Sequence, residues 1–148
     1  MIYCDTSFLV ALSIRGELFT PTAVRLASSF QDPIPLVAIA EIEWKTRMHR
    51  GLGDRSLTAA QHAALLRQIE QDVADGVLVR RSLSSVEHLE RSLKLSGRHA
   101  TRIPVRSLDI LHVAAAQLLG CKKFASFDKR QRELAAAEKI PLLPIRMP

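Results

Sequence analysis

Residues 106–128, RSLDILHVAAAQLLGCKKFASFD, hold a helix, its stop signal, a strand and the start of a second helix in one run. Leu108, Leu111, Ala115 and Leu119 recur at the spacing of one helical stripe, which predicts a helix over 106–119, and Gly120 is the residue favoured just past a helix end. The apolar run Lys123–Phe127 reads as a strand that breaks off at Asp128, and a helix is expected from there to Lys139. Leu142–Ile145 supplies a closing strand. A strand, a helix and a strand in this order imply a crossover connection and parallel pairing.

The same alternation extends upstream. Residues 2–4 read as a strand and 6–14 as a helix, and Pro21 suits the first turn of a helix over Thr20–Phe30. After the breakers Asp32-Pro33 and Pro35, the β-like residues Leu36, Val37 and Ile39 lead into a helix from about Ala40 to Arg50. Thr58 and Gln61 have the form of a capping box for a helix ending near Ala74, and Val77–Val79 follow as a strand. A helix over Ser84–Ser96 then precedes a basic loop, bracketed by Gly97 and Pro104, that carries Arg98 and Arg102. The expected fold is therefore α/β: a three-layer α/β/α sandwich around a central, mainly parallel sheet, in a single domain over 1–148.

Composition narrows the function. With 47% hydrophobic and 24% charged residues the chain is ordinary for a globular protein, and its formal charge of +6 and pI near 9.9 suit a polyanionic partner. Charge alone leaves open that this is simply a small basic protein. The two cysteines, Cys4 and Cys121, lack metal-ligand spacing and fit packing roles in a reducing compartment. No basic leader precedes the first apolar run, and no such run nears the ~20 residues that cross a bilayer, so a cytoplasmic protein without membrane attachment is expected.

Four acids stand where this topology brings side chains together. Asp5 and Asp128 end strands, at the side of an open α/β sheet where ligands bind. Glu41 follows the β-like run LVAIA, and Asp109 lies in the first turn of its helix. Taken singly, each has a plain explanation: an N-cap worth about 1 kcal/mol for Asp5 and Asp128, a first-turn acid facing the helix dipole for the others. Together at one crevice they would repel one another unless a cation neutralised them, and oxygen-only ligands suit Mg²⁺ or Mn²⁺. Glu43 competes with Glu41, but a helix beginning near Ala40 turns it roughly 200° away.

The stretches MIYCDTSFLVAL, LVAIAEIEW and RSLDILHVAAAQLLGCKKFASFD, with LLPI placed for a last strand, resemble the PIN domain, a PilT N-terminal type nuclease fold. Within it they resemble the toxins of virulence-associated (VapBC-type) toxin–antitoxin pairs. The resemblance implies a ribonuclease with Asp5, Glu41, Asp109 and Asp128 as its catalytic acids. Asp5, Asp109 and Asp128 would hold Mg²⁺ or Mn²⁺, with Thr6, Ser7 and Ser126 supporting carboxylates or waters. It also implies tRNA, ribosomal RNA or mRNA as substrate, and a cognate antitoxin as partner. The apolar helices 6–14 and 20–30 are candidates for its docking groove and for a homodimer face.

His112 shares a stripe with Leu108, Leu111, Ala115 and Leu119, and reads as a packed core residue rather than a general base. Some of three basic groups are expected to contact RNA phosphates: Lys45, Arg47 and Arg50 after Glu41, Arg98 and Arg102 in the loop, and Lys129, Arg130 and Arg132 after Asp128. Arg80 and Arg81 read as ordinary strand-end charges. Two rival readings stand beside this one. An inactive PIN-like module that binds RNA or protein would use the acids only as caps. An aspartyl-phosphate phosphotransfer domain would need an acidic pair where MIYCDTS has one acid.

Overall fold

The computed structural model describes residues 1–147; Pro148, the last residue of the expected domain, lies outside the described residues. Five strands alternate with seven helices: β1 (Ile2–Cys4), α1 (Thr6–Ser13), α2 (Thr20–Ala27), β2 (Ile34–Val37), α3 (Ala38–Gly53), α4 (Ala59–Ala74), β3 (Leu78–Arg81), α5 (Ser85–His99), α6 (Ser107–Leu118), β4 (Lys123–Ala125), α7 (Lys129–Ala137) and β5 (Leu142–Leu143).

All strand pairs are parallel, in two ladders, β1-β4-β5 and β2-β3. Since β2 lies against β1, the layer reads β3-β2-β1-β4-β5. A proline removes one of the donors that β2 could offer to β1. Ile34 gives its N–H to Val77 O, so the two-residue strand period turns Pro35 toward β1, with no N–H to offer. Helices cover this layer as the α/β/α sandwich that the sequence predicts. The chain leaves β1 to one side to build β2 and β3, then returns on the other side as β4. That reversal is the topological switch point where open α/β sheets bind ligands.

Several boundaries differ from the expected ones. Helix α3 starts at Ala38, directly on β2, and α5 runs through Gly97 and Arg98 to His99, so Arg98 is helical. Strand β4 stops at Ala125, which frees Ser126 and Phe127 to turn. The core gathers Tyr3, Phe8, Leu36, Trp44, Met48, Val113, Phe124 and Leu134, all essentially without exposure. Phe127 stacks on Phe8 and Phe19 at centroid distances of 5.6 and 4.5 Å, which fixes the turn leading to Asp128. No helix among the described residues is long and apolar enough to cross a membrane.

Candidate active site

Asp5 follows β1 and is completely buried. It caps α1, its Oδ1 accepting from Phe8 N at 2.9 Å and from the Ser7 hydroxyl at 2.7 Å. Its Oδ2 accepts from Ser126 Oγ at 2.7 Å. No Lys, Arg or His forms a salt bridge with it among the described residues, and burial pushes its carboxyl pKa up against the lowering effect of these bonds and of nearby His112. The cap reading of Asp5 is thus correct and incomplete: an N-cap does not require a dry, unpaired carboxylate.

The β4–α7 turn wraps around the same group. Ser126 Oγ accepts from Asp128 N at 2.9 Å, and Phe127 N donates to Ser7 Oγ at 2.8 Å. Asp128 caps α7 through Oδ1, which accepts from Arg130 N and Gln131 N. The hydroxyls of Ser7 and Ser126 therefore tie the two strand-end acids into one unit. Arg132, a member of the basic group after Asp128, is buried and donates to the carbonyls of Ser126, Leu143 and Pro144, joining the ends of β4 and β5.

Glu41 does not join the site, and Glu43 takes the place expected for it. Packing decides this: Ala40, Trp44 and Met48 are the core stripe of α3, and they orient the helix. Glu41 then faces Arg80 at 2.9 Å and Lys45 at 2.7 Å, in a partly exposed network shared with Glu70. The Arg80 guanidinium, above all, holds the Glu41 carboxyl down to about 2. Glu43 turns toward α1 and α6, where its Oε2 accepts from Thr6 Oγ1 at 2.7 Å and lies 2.6 Å from His112 Nε2. The bond to His112, first, and that to Thr6 lower its pKa.

Asp109 is buried in the first turn of α6, its Oδ2 accepting from Arg106 N at 2.8 Å and lying 3.6 Å from Arg130 Nε. It does not line the open crevice that the other acids share. That crevice, about 1160 Å³, is lined by Asp5, Glu43 and Asp128, and by Arg47, Arg50 and Arg81. Of the arginines expected at RNA, Arg98 is paired with Glu138 at 2.7 Å and Arg102 donates to Arg98 O, so neither lines it. Lys129 and Arg130 flank Asp128 without forming its wall. Arg81, read as an ordinary strand-end charge, does form it.

Sequence reasoning weighed Glu43 but ranked it behind Glu41, and it missed Arg81. A signal for the first was present: Glu41 and Lys45 stand four residues apart, the spacing of a surface ion pair. None marked Arg81, whose position depends on how β3 pairs with β2.

The donors suit a hydrated hard cation. Glu43 Oε1, Asp109 Oδ1 and Asp128 Oδ2 have no hydrogen-bond partner and are not sealed from solvent, and Asp5 is a buried charge without a paired cation. Among the described residues no three of His, Cys, Asp and Glu are gathered to hold an ion by themselves. A cation held here would need water or substrate oxygens to complete its coordination.

Residues 2–137 match the PIN domain family. No curated protein matches the chain in sequence. VapC20 of Mycobacterium tuberculosis, a sarcin–ricin loop cleaving toxin, shares 22% identity with a TM-score of 0.69, over 93% of this chain and 95% of that one. FitAcB from Neisseria gonorrhoeae shares 16% identity with a TM-score of 0.66, over 96% of each chain. At such identities the two structures speak for the fold. The family match spans nearly the whole sequence, from β1 through α7, and so the chain belongs to the PIN-domain family.

Proposed function

We propose that the protein is a divalent-metal-dependent endoribonuclease that hydrolyses RNA phosphodiester bonds, and that it is the toxin of a type II toxin–antitoxin pair. The observation that carries this reading is the crevice at the switch point, with Asp5, Glu43 and Asp128 together and three arginines on its lining. Family membership and the likeness in fold to a toxin that cleaves the sarcin–ricin loop support it.

In this reading Asp5, Asp109 and Asp128, together with Glu43, would hold Mg²⁺ or Mn²⁺ directly or through water. Such an ion, when bound, acts as a Lewis acid on phosphoryl oxygens and acidifies water. The chain's own contribution is placement. Ser7 and Ser126 hold Asp5 in one orientation, the α7 cap fixes Asp128, and Arg47, Arg50 and Arg81 offer charge to the flanking phosphates. The substrate is a tRNA, ribosomal RNA or mRNA. Helix α1 spends its apolar face on the core, whereas Val24 on α2 and Leu18 in the loop before it remain exposed, a surface suited to the antitoxin or to a second copy in a homodimer.

Cleavage of a mixed tRNA and ribosomal RNA pool with Mg²⁺, with Mn²⁺ and with chelator tests the reading, beside Asp5→Asn and Asp109→Asn. Metal-dependent cutting that both folded variants lose is expected. RNA binding without cutting, unchanged in either variant, would leave a binding module whose acids serve as caps.

A further inference from the structure

Glu43 is gripped by one oxygen only. Thr6 and His112 both bond to Oε2, while Oε1 has no partner. Behind this carboxylate lies a second bond: His112 Nδ1 is 2.7 Å from the Tyr3 hydroxyl, and both side chains are fully buried. The series Tyr3, His112, Glu43 thus runs from β1 through α6 to α3. A carboxylate serving only to satisfy a buried histidine has no need of the Thr6 hydroxyl on the same atom, nor of a free oxygen at a crevice wall.

We propose that Tyr3 and His112 are positioning residues for Glu43: Tyr3 donates to Nδ1, which leaves the imidazole proton on Nε2, and Nε2–H holds Oε2 so that Oε1 is presented to a cation or its water. The inference rests on the metal-dependent reading above. It gives His112 a task beyond core packing, and it makes a tyrosine with no access to solvent part of the site's geometry.

The test uses the full chain. Mn²⁺ affinity is measured by calorimetry, and metal-free melting by circular dichroism, for Tyr3→Phe, His112→Leu, His112→Gln, Glu43→Gln and Asp5→Asn. Tyr3→Phe and His112→Leu should bind Mn²⁺ on the order of 10-fold more weakly. His112→Gln keeps an N–H near the position of Nε2 and should recover most of that loss. Adding His112→Leu to Glu43→Gln should weaken binding no further. If His112→Leu does not fold, Tyr3→Phe, which removes one oxygen, carries the comparison. Wild-type Mn²⁺ affinity in folded Tyr3→Phe, while Asp5→Asn abolishes binding, would overturn this inference and leave the nuclease reading intact. Absence of Mn²⁺ binding by the unaltered protein would overturn both.

Discussion

Asp5 shows how one residue serves folding and chemistry in conflict. As a cap it stabilises α1, yet as a buried unpaired carboxylate it favours protonation in the folded state. Its pKa is raised on folding, so its penalty is absent below the unfolded value near 4, grows as pH rises from there toward the folded value, and is complete only above that value. Asp5→Asn is therefore expected to raise Tm by about 3 °C at pH 7.5, with the gain vanishing near pH 4. Melting of the variant below wild type at pH 7.5 would refute this. The two glutamates of α3 make the opposite comparison. Glu41→Gln should cost at most about 1 kcal/mol, because its ion pairs are partly exposed, and should leave cleavage unchanged. The Glu41 contribution is present above pH ~4.5 and fades as pH falls toward 2. Glu43→Gln should lower cleavage about 100-fold. Equal activity of the two variants would show that α3 supplies no acid to the reaction.

At the scale of elements, the β4–α7 turn is what local sequence conveys well. SFD after an apolar run is a strand end followed by a cap, and both Asp5 and Asp128 were legible for that reason. The choice between Glu41 and Glu43 was not, because a helix's rotation is set by what its apolar stripe meets, and buried Trp44 meets Ser13, far off in sequence. Arg132 illustrates the same limit. It lies in a run of basic residues that reads as surface, yet its guanidinium bridges three carbonyls beneath the turn. Arg132→Leu strands those acceptors and should cost about 3 kcal/mol, seen as a lower denaturation midpoint at unchanged slope. A midpoint within experimental scatter of wild type would return Arg132 to the surface.

At the scale of the molecule, the excess positive charge is unevenly engaged. Arg80, Arg98 and Lys45 are tied to acids, whereas Arg47, Arg50 and Arg81 line the crevice without an ion-pair partner among the described residues. Replacing these three by Gln should reduce the slope of log affinity for single-stranded RNA against log salt by about 0.7 for each phosphate no longer neutralised. Gln at both Arg98 and Arg102 should leave that slope unchanged. The reverse pattern in filter-binding titrations would move the RNA path to the far end of α5.

Among the described residues β1 and β2 lie side by side without a backbone ladder, so the joint between the two halves of the sheet is fastened by side chains, among them Thr6 and His112 to Glu43 and Ser13 to Trp44. Backbone pairing is indifferent to most substitutions, but side-chain fasteners change with a single codon. The spacing between the two walls of the crevice is therefore open to selection one residue at a time, while the strands that deliver Asp5 and Asp128 keep their register.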